Sequence, residues 1–241
     1  MKKALIYSIP VFILSLLLSG CTPGLSEDSF ETIDIFDENH AFTFERTEGD
    51  DVSDIRYTLE VGDGMVTTGV DIDFSEGGFI SRSEFHADSL VPVSSFKSNR
   101  FNLDPDKNWE ITADYGETLT MVARTETDQE TKSLELPEYY LDNEGLLFSM
   151  GAIDYEEGFV KDINICIIDA GEIIPFRVTY MGTETVEVPY GSVECIKIEM
   201  KYTGLVLGPK PRMYMWYTAD ENRYPVLYEN KDVRLALKAI D

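Results

Sequence analysis

From Asp54 onward, apolar and polar residues alternate with period two, and this alternation constrains the fold more than any other feature of the chain. Ile55, Tyr57, Leu59 and Val61 are apolar while Arg56, Thr58 and Glu60 between them are polar, which is the pattern of a strand with one face buried. Gly62-Asp63-Gly64 supplies the positive φ angles of a tight reversal. Residues 66–74 follow, with Val70, Ile72 and Phe74 on one face and Asp71 and Asp73 on the other. The rhythm repeats. Gly77-Gly78 turns into 79–86, Pro92 interrupts near a strand reaching Leu103, Asp104-Pro105-Asp106 turns into 109–113, and Tyr115-Gly116 reverses into 119–124. It resumes through 163–168, 176–181, 186–188, 193–201, 213–218 and 226–229, with glycines at 171, 182, 191 and 204 between or within these segments. A parallel α/β sheet would need helical patterns between its strands, and one such pattern is present: Leu146, Leu147, Met150 and Ile153 recur at helical spacing behind Asp142, a good N-cap. The sequence therefore predicts an all-β fold, an antiparallel meander forming a curved sheet, half-barrel or barrel, with one short helix.

The N-terminus follows different rules. Lys2 and Lys3 precede an apolar run over residues 4–18, shorter than the ~20 residues that cross a bilayer, so the run reads as an export signal. Leu18-Ser19-Gly20-Cys21 resembles the lipobox of bacterial lipoproteins. That resemblance implies cleavage between Gly20 and Cys21, a diacylglycerol on the Cys21 thiol, a further acyl chain such as palmitate on its amine, and a body held outside the cytoplasm at the cell membrane or outer membrane. Two acyl chains suffice for stable anchoring. The predicted domains are a signal peptide over 1–20, a lipidated cysteine and acidic spacer over 21–53, and a single all-β domain over 54–241. Within the spacer, Phe42 and Phe44 alternate with Thr43 and Glu45, enough for a first short strand near residues 40–46.

Charge narrows the partners. The chain has 45 Asp and Glu against 20 Lys and Arg, and losing Lys2 and Lys3 with the signal leaves 18 basic residues. Such a body repels nucleic acid and anionic headgroups, so the membrane is expected to be reached through Cys21 alone.

The C-terminal third carries a specific motif, Val188-Pro189-Tyr190-Gly191-Ser192-Val193-Glu194-Cys195, followed by Met215-Trp216-Tyr217-Thr218-Ala219-Asp220-Glu221-Asn222-Arg223-Tyr224-Pro225. It resembles a bacterial envelope family known as domain of unknown function 3108, the matching positions being Gly191, Trp216, Asp220, Arg223 and Pro225. Tyr190 departs from the small residue usual before the glycine. The resemblance implies an envelope location and a β fold and supplies no reaction. Physically the motif reads as structure: Gly191 permits a positive φ, Asp220 caps a hairpin turn in which Arg223 answers it, Pro225 starts a strand where a missing N–H is tolerated, and Trp216 anchors the core or its rim.

Sites of known chemistry are scarce. His40 and His86 are the two histidines, too few for a multi-histidine zinc site, and no Gly-x-Ser-x-Gly elbow or phosphate-binding glycine loop occurs. Asp104 to Glu110 resembles the start of a calcium loop, but Trp109 stands where glycine is required and Tyr115 where a closing acid belongs. No metal, cofactor or catalytic residue is assigned. Cys166 and Cys195 share strand faces with Asn164 and with Lys197 and Glu199, and could pair as a disulfide if their strands were neighbours, the alternative being two separate buried thiols. The leading expectation is a lipid-anchored envelope protein, not an enzyme, whose apolar and partly unfilled interior binds an apolar molecule or a protein partner. A structural or assembly factor and a carboxylate-based hydrolase of envelope polymers are the alternatives.

Overall fold

The computed structural model describes residues 31–74, 77–101, 104–205 and 210–241; the signal, the lipobox and Cys21 lie outside them. The first half of the chain forms β1 (His40–Glu48), β2 (Asp51–Gly62), β3 (Met65–Phe74), β4 (Gly77–His86), β5 (Pro92–Phe101), β6 (Trp109–Tyr115), β7 (Thr118–Thr125) and β8 (Gln129–Glu135). After β9 (Tyr140–Asp142) come α1 (Leu146–Ser149) and a 3-10 turn at Met150–Ala152. The second half forms β10 (Val160–Ile167), β11 (Glu172–Val188), β12 (Gly191–Tyr202), β13 (Arg212–Thr218), β14 (Pro225–Glu229) and β15 (Val233–Ile240).

These strands make one sheet in the order β8-β7-β6-β5-β4-β3-β2-β1-β15-β14-β13-β12-β11-β10-β9. Two meanders thus meet where β1 pairs with β15, and all neighbours are antiparallel except β9 and β10, which run parallel. The fold class is as the alternation predicts, and the sheet is not closed into a barrel by hydrogen bonds.

Its two ends overlap instead. Register carries one face of the sheet from Thr68 through Ser83, Ser95 and Ala113 to Met121, and in parallel from Val70 through Ser81 and Lys97 to Ile111. At β2–β4 this face packs into the main core with Leu59, Val66 and Phe85. At β6 and β7, Ile111, Ala113, Leu119 and Met121 pack instead on Cys166 and Ile168. Ile163 and Ile165, on the opposite face of β10, belong to the main core. The sheet is therefore a scroll, with β6–β8 lapped over the back of β9–β11 and β10 buried from both sides. The lapped-over edge strand β9 is covered, while the free edge β8 is short and charged, two ordinary ways of blunting a sheet edge.

The helical segment plugs the scroll. Leu146, Phe148, Met150 and Ala152 are all buried, and the Phe148 ring lies 5.4 Å from Phe42 and 6.2 Å from Tyr57. Truncating such a buried aromatic to alanine costs roughly 3–5 kcal/mol. Asp142 is not its N-cap: that position is Gly145, with no side-chain cap. A Cβ at Gly145 would stand 2.9 Å from Ser83 Oγ and 3.2 Å from the Phe85 ring, so glycine lets the plug sit against β4.

The acidic spacer expected over 21–53 ends earlier than that. β1 occupies the middle of the sheet, between β2 and β15, with Phe42 and Phe44 fully buried. Thr32 bridges Ile153, and Phe36 joins the core. Residues from about 32 onward therefore belong to the folded body, because the acids Glu45 and Glu48 sit beside the apolar positions and do not replace them.

Candidate functional site

A cavity of about 280 Å³ opens at one end of the scroll, between α1 and the inner face of the sheet. Ile55, Val70 and Phe79 form one wall, Met213, Met215 and Leu235 another, and Leu146 and Leu147 of α1 the floor. Ligand pockets commonly hold ~300–1,000 Å³, so this one suits a small apolar body. Arg46, Tyr57, Ser81, Asn143 and Glu144 give the lining a polar sector.

Most of that sector is already engaged. Glu144 accepts from Lys97 Nζ and Asn143 Nδ2 at 3.1 Å each through Oε1, and from the Ser81 hydroxyl through Oε2. Lys97 also reaches Asp169 Oδ2 at 2.8 Å. Burial alone would push the Lys97 ammonium down, but Glu144 and Asp169 hold it above its ordinary value. Arg46 Nη2 donates to Glu48. The Tyr57 phenol is raised well above its usual range by burial first, then by Glu144 and Tyr228, with Arg46 opposing.

Behind the cavity lies a second buried acid. Asp142 is 3% exposed and accepts from Ser95 Oγ at 2.7 Å and Tyr115 OH at 2.9 Å. Burial pushes its carboxyl up to about 6, with nearby hydroxyls opposing. These bonds tie β9 to β5 and β6, so both acids work as internal fasteners across the lapped seam.

The residues predicted from the motif lie elsewhere. Gly191 opens β12 at φ 142°. Trp216, 5% exposed and part of the main core cluster, shares a face with Lys197; its Nε1–H donates to Glu184 Oε1 at 2.7 Å and Lys197 Nζ lies 4.7 Å over its ring. Asp220 Oδ1 accepts from Thr218 Oγ1 at 2.6 Å and the Asn222 N–H at 3.1 Å. Arg223, at φ 50°, does not answer Asp220; its Nε and Nη1 are buried without a hydrogen-bond partner among the described residues. Pro225 is buried at the start of β14. Asp220 borders an open external groove of about 640 Å³; none of the five lines the internal cavity.

The candidate disulfide does not form: Cys166 and Cys195 are free and buried. Cys166 pairs in register with Ile173 and Cys195 with Glu184 on the same strand β11. Those positions are eleven residues apart, roughly 35 Å along a strand, far beyond the reach of a disulfide. One further cluster stands beside the first strand. The ligand atoms of Asp37, Glu38 and His40 all lie within 4.8 Å of one another, with His40 Nε2 at 2.9 Å from the Tyr224 hydroxyl. The three are close together in sequence, and that proximity was the available signal.

The family model described as "Protein of unknown function (DUF3108)" matches residues 32–233. No curated protein matches the chain. Among solved structures, a beta-barrel-like protein of domain of unknown function 1849 from Brucella abortus superimposes with a TM-score of 0.56 at 10% identity, covering 85% of this chain and 97% of its own. A candidate lipoprotein from Parabacteroides distasonis gives a TM-score of 0.35 at 9% identity, with 88% and 99% covered. A candidate exported protein with a YmcC-like fold from Bacteroides fragilis gives 0.33 at 13%, with the same coverages. At 10% identity the first of these shares the fold alone.

Proposed function

The chain belongs to the DUF3108 family, and on that premise we propose that it is a lipid-anchored, extracytoplasmic protein whose scrolled sheet binds a small apolar molecule. One observation carries the binding: the interior is not filled to its end, and about 280 Å³ is left lined chiefly by aliphatic and aromatic side chains from both meanders. Protein interiors normally pack densely. An apolar opening beside a helical plug is therefore the natural place for a ligand. Met213 and Met215 in the wall add adaptable surface.

Val233 stands at the rim, partly exposed at the start of β15, so a larger side chain there blocks the opening without disturbing the core. Val233→Trp is expected to weaken binding of an apolar fluorescent probe at least about tenfold while the thermal midpoint stays within a few degrees. Probe binding that survives the substitution unchanged, or no binding by the wild type, overturns the reading.

The anchor rests on Leu18-Ser19-Gly20-Cys21 after an apolar run too short to span. With a body this acidic, acyl chains are the means left for holding it at an anionic membrane. Cys21→Ser should move the protein from the membrane fraction to the soluble one; a variant that stays with membranes after a salt wash would refute the anchor.

A further inference from the structure

We infer that the cavity selects an acyl compound with a neutral, hydrogen-bond-accepting head, such as an ester or amide, its carbonyl oxygen taken by Tyr57 and its hydrocarbon lying along α1. This deepens the binding reading and rests on it.

Much of the polar sector's hydrogen-bonding capacity is already spent. Glu144 receives three hydrogen bonds from Lys97, Asn143 and Ser81, so its acceptor capacity is largely filled. Asn230 Oδ1 is likewise taken, by the Asp232 and Val233 N–H groups. Asn143 Oδ1 and the phenol oxygens can still accept, but the unused groups include several donors. The Tyr57 hydroxyl has no hydrogen-bond partner among the described residues, although it lines the cavity and couples electrostatically to Arg46, Tyr228 and Glu144. Tyr228 OH accepts from Asn230 Nδ2 at 2.8 Å and still has its own proton to donate. Arg46 gives Nη2 to Glu48 and keeps further N–H groups. A site with spare donors favours a ligand oxygen that can accept over a hydrocarbon that cannot.

Charge then separates an ester from a free acid. Around the polar sector Arg46 and Lys97 face Glu48, Glu144 and Asp169, leaving one negative charge in excess. The body as a whole is strongly acidic. A carboxylate head would add a like charge in a partly desolvated place, where repulsion is stronger than in water. A neutral carbonyl keeps the hydrogen bonds and avoids that repulsion.

The test uses the soluble Cys21→Ser protein and three probes of matched length, methyl octanoate, octanoate at pH 7.5 and octane, each read by displacement of the fluorescent probe. The expected order is ester first, with octane and octanoate weaker. Tyr57→Phe should weaken the ester by about three- to tenfold, the range of one neutral hydrogen bond, and leave octane unchanged. Equal binding of ester and octane, indifference of the ester to Tyr57→Phe, or octanoate binding tightest would each overturn the inference while leaving apolar binding intact. Failure of the wild type to bind the fluorescent probe at all would instead overturn the binding reading itself. Unaltered cooperative unfolding of Tyr57→Phe separates loss of a contact from loss of the fold.

Discussion

Asp142 shows how one buried group can set the pH response of the whole body. Burial raises its folded carboxyl to about 6 from an ordinary 3.8, despite hydrogen bonds from Ser95 and Tyr115. A raised acid pKa means that the native state holds the proton longer than the unfolded chain does. This contribution to stability is therefore complete below about pH 4 and is lost as pH rises to about 6, a difference of roughly 3 kcal/mol. Other acids titrate in the same window, so the comparison must be with Asp142→Asn, which keeps an acceptor for Ser95 or Tyr115 and cannot ionise. Between pH 4 and pH 7, urea titrations should show the variant gaining roughly 3 kcal/mol relative to the wild type. A wild-type-minus-variant difference that is flat with pH would refute the assignment. The sequence offered Asp142 only as a helix cap, since an acid four residues before an apolar helical repeat has that meaning locally. Its true partners are on β5 and β6, and neither the alternation of those strands nor the spacing around Asp142 points to them.

At the level of elements, what could be read in advance is what repeats. β2 through β7 announce themselves because one face is wet and the other dry, and the plug announces itself by its spacing. β8 escapes because nearly all of Gln129–Glu135 is exposed, leaving no dry face to mark. β15 escapes for the opposite reason: Leu235, Ala236 and Leu237 are all buried, so its centre is a continuous apolar run instead of an alternation. β1 was half visible, through Phe42 and Phe44, and hidden by the acids around it. The cavity was not legible residue by residue, because its lining joins Arg46 of β1 to Glu144 beside the plug and Leu235 of β15. Only the meeting of β1 with β15 brings those together. The expectation of an apolar, incompletely filled interior came from the surplus of large side chains on alternating faces. Trp216, read as an anchor of the core or its rim, is 5% exposed and belongs to the main core cluster, capped by Lys197.

For the whole molecule the decisive feature is that the sheet overlaps itself without closing. No backbone hydrogen bonds join β8 to β9. The lap is held by the small cluster of Ile111, Ala113, Leu119, Met121, Cys166 and Ile168, together with the Asp142 and Lys97 contacts. The rest is held by continuous ladders and the large core. Local openings draw on whichever part has the fewest buried contacts and hydrogen bonds, so the lap should lift before the body unfolds. Two cysteines report on this. Both thiols are pushed up to about 12, chiefly by burial, and neither is exposed, so each reacts only when its surroundings open. Cys166 lies under the lap, whereas Cys195 sits mid-sheet between β11 and β13. In the Cys21→Ser protein under mild denaturant, a thiol reagent should label Cys166 well before Cys195, and Cys195 only at the rate of global unfolding. Leu119→Ala removes a fully buried contact of the lap and should speed Cys166 labelling at least about tenfold, given the 2–5 kcal/mol such truncations cost, with a much smaller effect on Cys195. If both thiols label together in the wild type, or Leu119→Ala speeds both alike, the lap is part of one cooperative unit with the body and has no opening of its own.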